Sequence, residues 1–264
     1  MLDKLRKAKA AEIEELVSQA EKGNLPAPLE SPRVNFRNAL TVKDRPAIIA
    51  EYKRASPSKG PICSTLEVED VACQYRDAGA SAISVLTEKN FFDGDIAFIN
   101  RAHAALQGSV PLLRKDFIFH PLQIDATAAT CASAVLLIAR FMSSSKYLRD
   151  MAERAMSFGI APVIEIFDEK DLKMARDAGA SIIQVNARDL QTLKTNRNLC
   201  YNLIQTGRPQ NDEIWIAASG MDESAHIAQA RNMGFDAVLI GTTLMRNGTP
   251  GASLTNMLRE IQPC

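Results

Sequence analysis

The chain has 264 residues, 46% of them hydrophobic, a size for one large domain or two small ones with an ordinary packed core. Its 31 Lys and Arg balance 31 Asp and Glu, which gives no support to a nucleic-acid-binding or polybasic membrane role, and no apolar run approaches the roughly 20 residues of a membrane-spanning helix. Cys63, Cys73, Cys131, Cys200 and Cys264 are widely spaced without a CxxC pair and read as reduced thiols of a cytoplasmic protein, while His103, His120 and His226 are not spaced as zinc ligands, so no metal is expected.

The N-terminus carries mixed charge, Met1-Leu2-Asp3-Lys4-Leu5-Arg6-Lys7, and lacks the apolar core and cleavage site of a signal peptide. From Met1 to about Glu21, an imperfect apolar stripe through Leu2, Leu5, Ala8, Ile13, Leu16, Val17 and Ala20 predicts a helix. Lys22-Gly23-Asn24 stops it. Residues 25–45 hold several prolines and then Phe36, Ala39 and Leu40, which predict a short second helix. Residues 1–45 therefore read as an N-terminal helical extension, and residues 46–264 as the body of one domain.

From Ala47 a rhythm sets in: an apolar run, a polar loop, a helix pattern, a Gly or Pro, and the next apolar run. Strands are predicted at residues 48–51, 82–86, 111–114, 134–138, 162–165, 182–185, 214–217 and 237–240. Short runs of this kind, rich in β-branched residues, fit strands buried on both faces. Helices are predicted to begin near Glu67, Ile96, Pro121, Ser145, Glu169, Arg197, Asp222 and Gly251. Pro121 suits a first helical turn, Ser143-Ser144-Ser145 supplies caps, and Asp168-Glu169 and Asp222-Glu223 place carboxylates where the helix dipole favours them.

An internal repeat marks the junctions: RDAGASAI at 76–83 returns as RDAGASII at 176–183 and as RNMGFDAV at 231–238, with a degenerate CASAV at 131–135. In each Gly-bearing copy a helix ends, Gly takes the left-handed cap and a buried strand follows. Eight βα units after a helical extension argue for a (β/α)8 barrel, for which about 250 residues is the usual size. A doubly wound open sheet is the alternative, but it gives no reason for eight near-equal units, and GxGxxG is absent after the first strand.

In such a barrel the C-terminal strand ends meet at one rim, where catalytic groups sit. The first strand ends in Glu51 and Lys53, on one face by alternation, and the loop Ser56-Pro57-Ser58-Lys59-Gly60 follows. That stretch alone fits a structural ion pair as well as a catalytic pair. The remaining ends carry Thr87–Gly94, Arg114-Lys115-Asp116-Phe117, Arg140, Glu165, Asn186 with Arg188, Ser219-Gly220, and Gly241-Thr242-Thr243. The opposite ends, Asp44-Arg45-Pro46, Ala80-Ser81 and Ala180-Ser181, look like plain turns. Polar function thus concentrates on one rim, which favours the catalytic reading.

Two sub-sites separate. Ser219-Gly220 and Gly241-Thr242 fit the phosphate site common after strands seven and eight of such barrels, with Ser56 able to reach it from the first loop. Glu51, Lys53, Lys115, Glu165, Asn186 and Arg188 form the other side. Two lysines and two glutamates in one mouth shift each other's protonation toward usable acids and bases. A glycosidase is disfavoured by the lysines and the phosphate loops, and an aldolase-type Schiff base on Lys115 or Lys53 remains open by chemistry alone.

AEYKRASPSKG (50–60), LLRKDFIFHPLQI (112–124), VIEIFDEKDL (163–172), VNARDLQTL (185–193) and AVLIGTTLMR (237–246) together resemble indole-3-glycerol phosphate synthase of tryptophan biosynthesis along the whole chain. The resemblance implies ring closure, decarboxylation and dehydration of 1-(2-carboxyphenylamino)-1-deoxyribulose 5-phosphate to indole glycerol phosphate, with no cofactor and no metal. It implies Lys115 as general acid at the ribulose carbonyl oxygen, Glu165 and Lys53 in the later proton transfers, Glu51 as the carboxylate that positions the lysine, and Asn186 as a residue that orients the substrate. It further implies Arg188 on the substrate carboxylate, Ser56, Gly220, Gly241 and Thr242 at the phosphate, and Phe91 against the aromatic ring. The expected partner is a small phosphorylated molecule, with no nucleic acid, no membrane and a monomeric chain.

Two departures from the family pattern stand out. Ala218-Ser219-Gly220 replaces the usual E-S-G after strand seven, and Tyr52 replaces a usual aliphatic residue with its side chain expected to point away from the barrel interior. Two further readings remain: a non-catalytic paralogue that has lost a carboxylate at Ala218, and a related phosphosugar isomerase. The retained set Glu51, Lys53, Lys115, Glu165 and Asn186 speaks against the first. The lack of a cysteine at a strand end speaks against the second.

Overall fold

The computed structural model describes residues 2–43, 45–189, 192 and 194–261. Eight parallel strands close into a barrel: Ala47–Tyr52, Ala82–Leu86, Leu112–Lys115, Ala134–Ile138, Ala161–Ile166, Ile182–Asn186, Ile214–Ala218 and Ala237–Ile240. Each pairs with its neighbours in sequence order, and the first closes the ring against the eighth, Ala47 to Ala50 lying opposite Ala237 to Ile240. Period-two alternation sorts the strand side chains into two cores. Ala47, Ile49, Leu113, Leu136, Val163, Ile182, Ile216 and Ala218 fill the barrel interior, and Ile48, Ala50, Tyr52, Leu112, Leu137, Ile183, Trp215 and Ala217 pack under the helices.

Helices alternate with the strands as the (β/α)8 reading requires. In chain order they are α1 (Leu2–Glu21), α2 (Phe36–Ala39), α3 (Val68–Asp77), α4 (Lys89–Phe92), α5 (Ala97–Leu106), α6 (Pro121–Ala128), α7 (Ser145–Ser157), α8 (Glu169–Asp177), α9 (Arg197–Gly207), α10 (Ser224–Asn232), α11 (Thr242–Met245) and α12 (Pro250–Ile261). The one-turn α4 and α11, a 3-10 turn at Ala139–Phe141 and a small hairpin of Ala55–Ser56 with Gly60–Pro61 were not expected. All are two to four residues long, too short for an apolar pattern to repeat, which leaves them no sequence signature. No helix among the described residues is long and apolar enough to cross a membrane.

The repeated junction has one geometry in all three copies. Gly79, Gly179 and Gly234 sit at φ +88, +83 and +98. The residue after each glycine donates its N–H back to the helix at Tyr75, Ala175 and Ala230, at 2.9, 3.0 and 3.1 Å. These bonds satisfy carbonyls that a helix end otherwise leaves open. The strand then starts within three residues, so every copy delivers its strand at the same height.

The extension serves both ends of the barrel. At the N-terminal end, Arg33 donates to the carbonyls of Ala128, Thr130, Ala132 and Phe158, and Arg37 to those of Ser181 and Asp212. Phe36 and Leu40 are buried in the interior cluster. At the other end α1 lies against α6, and Arg6 donates to the Phe141 carbonyl after the fourth strand.

Candidate active site

Ala47 and Ile49 face the barrel interior, so the strand period brings Glu51 inward at the rim. Its side chain is 1% exposed. Lys53 Nζ lies 2.6 Å from Glu51 Oε1, and Lys115 Nζ, from the end of the third strand, lies 3.2 Å from Oε2. The lysines keep 13% and 19% exposure, so one buried carboxylate bridges two ammonium groups that reach the cavity above it. Burial alone would raise the Glu51 carboxyl, but the charges of Lys115 and Lys53 outweigh it and bring it down to about 2. Lys53 is pushed down by burial and by the Lys115 charge, in spite of Glu51. For Lys115 burial also works against the charge, yet the combined pull of Glu51 and Glu165 carries it upward. The two lysines therefore differ: Lys115 holds its proton, and Lys53 releases one more readily.

Glu165 enters from the fifth strand, level with Ile138 on one side and Gln184 on the other. Burial raises its carboxyl against the Lys115 charge and against hydrogen bonds from the Asn186 and Gln184 amides. Asn186 is itself held: its Oδ1 accepts the Ser219 hydroxyl at 2.8 Å and the Arg188 N–H at 3.0 Å. Arg188 reaches across to the first loop, where its Nη1 donates to Ser58 Oγ at 3.0 Å.

These groups open into a cavity of about 430 Å³ at the C-terminal rim. Glu51, Lys53, Lys115, Glu165, Asn186 and Arg188 line it, as do Ser56, Ser219, Gly220, Gly241 and Thr242. One wall is made of small residues and backbone. Ser219 and Gly220 take left-handed backbone, φ +70 and +77. A Cβ at Gly241 would collide with Glu51 Oε1, so only glycine lets the eighth strand end beside the buried carboxylate. The opposite wall is apolar, with Leu5 from α1, Leu86, Leu136, Ile138, Phe92 and Phe117. Phe117 stacks on Phe141 at 5.8 Å and meets Phe92 at 6.1 Å.

Phe91 packs against the interior cluster and is not part of the cavity lining, whereas its neighbour Phe92 is. Glu88 caps α4 by accepting the N–H groups of Asn90 and Phe91. That fixes a single turn in which neighbouring side chains point about 100° apart, and the Phe91 ring instead lies under the Lys4 ammonium at 5.5 Å. Ser219 also differs in detail, since its hydroxyl is directed to Asn186. Tyr52 points outward as expected, its ring edge-on to Phe98 and its hydroxyl donating to the Leu66 carbonyl. Ala218 belongs to the barrel interior and is 1% exposed. Within the VNARDLQTL stretch, Leu190, Gln191 and Leu193 lie outside the described residues, as do Met1, Asp44 and Cys264.

Two groups of residues escaped the sequence reading. Gln184 sits in the interior phase of the sixth strand between Ile182 and Asn186, and alternation from Asn186 would have found it. Lys9, within the charged part of α1, is buried and pairs with Asp116 at 2.6 Å. Asp116 also takes Arg114 at 3.1 Å and the Thr87 hydroxyl at 2.7 Å. The residues on both sides of Lys115 are thus locked from outside the barrel. Among the described residues no group of three or more His, Cys, Asp or Glu side chains is placed to hold a metal ion.

Comparison with known proteins bears on this geometry. Residues 2–257 match the family model described as indole-3-glycerol phosphate synthase. The chain is 37% identical over 249 residues to the indole-3-glycerol phosphate synthase of Mycolicibacterium vanbaalenii, covering 94% of this chain and 87% of that one. It is 39% identical over 229 residues to the enzyme of that name from Campylobacter jejuni, covering 86% of each. Among solved structures, a 3-hexulose-6-phosphate synthase superposes with a TM-score of 0.63 at 12% identity, over 82% of this chain and 100% of that one, a likeness of fold alone.

Proposed function

The chain belongs to the indole-3-glycerol phosphate synthase family, and from that premise we propose that it closes the indole ring of 1-(2-carboxyphenylamino)-1-deoxyribulose 5-phosphate as a carboxy-lyase, releasing CO2 and water. The observation that carries this reading is the bridge of Lys53 and Lys115 by buried Glu51, opposite Glu165. It supplies a charged acid, a second ammonium with a weaker hold on its proton and a carboxylate base around one cavity.

The substrate's phosphate fits the wall of Ser56, Gly220, Gly241 and Thr242, whose small residues leave room for an anion at the ends of the seventh and eighth strands. Its aromatic ring fits the wall of Phe92 and Phe117. Arg188 holds the ring carboxylate until it leaves as CO2. Lys115, protonated at neutral pH, gives its proton to the ribulose carbonyl oxygen as the aromatic carbon attacks, and its charge stabilises the developing oxyanion. Lys53 and Glu165 carry the later transfers that remove the ring proton and expel water. Glu51 keeps both lysines in register, and Asn186 orients the intermediate. The whole chain acts as one domain, a monomeric barrel with its helical extension.

The test is fluorescence detection of indole glycerol phosphate from synthetic substrate. Lys115→Ala and Glu165→Gln should each lower kcat by roughly a hundredfold or more, the usual scale for a positioned acid or base. Near-normal turnover in either variant removes that residue from the mechanism. Absence of turnover in the natural chain refutes the reading.

A further inference from the structure

Gln184 is a residue that packing alone does not explain. It is 0% exposed and faces the inside of the barrel, where Val163, Ile182, Ile216 and Leu239 are apolar. It stands in register with Glu165 on one neighbouring strand and Ile216 on the other. Its Nε2 donates to Glu165 Oε2 at 2.6 Å. Its Oε1 is buried with no hydrogen-bond partner. An amide oxygen left unpaired inside a protein costs stability, and a Met or Leu of similar size would avoid that cost. A polar group kept at such a cost is characteristic of a functional position. Gln184 does not line the cavity, so whatever it does is done through Glu165.

We propose that Gln184 is a positioning residue for the ring-closing reaction, its amide holding the Glu165 carboxylate as a fixed proton acceptor at the floor of the cavity. This rests on the proposed function above. Gln184 and Asn186 stand two apart on one strand face, so both amides address the same carboxylate from the same side. With Oε2 held by Gln184, the carboxylate cannot rotate freely. The charged and titratable groups around it are Lys115 from the third strand and Glu51 from the first, with Lys53 beyond Glu51. Arg140, after the fourth strand, is directed away to Asp168 and Asp171.

The direction of the effect follows from the donor. An N–H given to a carboxylate favours its ionised form, so removing it makes Glu165 easier to protonate. The experiment compares the natural chain with Gln184→Met and Gln184→Glu. In Gln184→Met the acidic limb of kcat/KM should move up by about one pH unit, the scale of one hydrogen bond to a charged group. On the acidic side of the limb kcat should fall by up to about tenfold, with KM within about twofold and full recovery on the alkaline side. The thermal midpoint should stay close to that of the natural chain, because removal of the orphaned oxygen offsets the bond lost to Glu165. Gln184→Glu, which sets two carboxyls to share one proton, should shift the limb further. A second readout is independent of turnover: the 13C resonance of the Glu165 carboxyl, assigned by its loss in Glu165→Gln, should titrate at higher pH in Gln184→Met. An unmoved limb together with an unmoved carboxyl titration overturns the proposal. So does a loss of activity equal at every pH and accompanied by a lower thermal midpoint, which is the mark of a structural role. If the natural chain makes no product at all, the functional reading fails by itself, and the carboxyl titration still decides whether Gln184 holds Glu165.

Discussion

Glu51→Gln isolates the charge at the centre of the site while leaving its shape nearly intact. The glutamine imitates the protonated acid, so the loss on substitution is close to the preference of the folded site for the ionised form. That preference is large: the carboxyl is lowered from an ordinary 4.5 to about 2 by two ammonium groups whose attraction exceeds the effect of burial. At about 1.4 kcal/mol per pH unit this corresponds to about 3 kcal/mol of stability at pH 7. It agrees with the roughly 3–5 kcal/mol lost when one partner of a buried ion pair is removed. Because the folded value lies below the unfolded one, the contribution is fully present above about 4.5. It fades as the pH falls toward 2, and the difference between natural chain and variant should have shrunk by about 1.4 kcal/mol near pH 3.5. Trp215 is the single tryptophan, buried beneath the helices, and reports urea unfolding by its fluorescence. Turnover should fall roughly a hundredfold, since both lysines lose their anchor. Unfolding free energies within about 1 kcal/mol at pH 7, or a difference that does not shrink on acidification, would refute the electrostatic account of the site.

Two further outcomes concern the rest of the cavity. Inorganic phosphate or sulfate should inhibit competitively with substrate and, in soaked crystals, occupy the wall of Gly220, Gly241 and Thr242; an anion held elsewhere with these loops empty counts against that assignment. Ala218→Glu should change kcat/KM by no more than about tenfold, or about 1.4 kcal/mol, because residue 218 is buried below the cavity and Glu51 already pairs with both lysines; a natural chain without turnover whose activity appears on this substitution would establish the lost-carboxylate reading.

The barrel was legible because its signals are local and repeated. Each strand is a short apolar run, and the Gly-bearing junctions fix where three of them begin. All eight predicted strands lie within one residue of the observed ends. The rim chemistry was legible for a geometric reason, since period-two alternation turns a list of strand ends into a list of side chains facing one cavity. What escaped depends on contacts that sequence spacing does not encode. Phe91 and Phe92 are adjacent, and within the turn capped by Glu88 it is Phe92 that lines the cavity. Lys9 looks like one more charge on an amphipathic helix until α1 docks on the rim beside Asp116. Gln184 is different, since alternation from Asn186 places it inside the barrel, but its apolar neighbours make the run read as core.

The charge balance of the site completes the link from fold to function. Within the inner set, Lys53, Lys115 and Arg188 stand against Glu51 and Glu165, one positive charge in excess when both carboxylates are ionised, while around the rest of the lining Lys59 and Arg246 stand against Glu88, Asp116 and Asp222. A ligand bearing a carboxylate near Arg188 neutralises that excess. Loss of the carboxylate as CO2 restores it, at the stage when the remaining steps must remove a proton and expel water. A positive excess favours proton release from the ring and stabilises the negative charge that builds on the departing hydroxyl until it takes a proton. With a glutamate at residue 218 the same set would be neutral before substrate arrives, and the ring carboxylate would bind against a weaker field. Ala218 is therefore compatible with catalysis on electrostatic grounds, because the inner cluster keeps its carboxylate bridge and gains attraction for an anionic substrate.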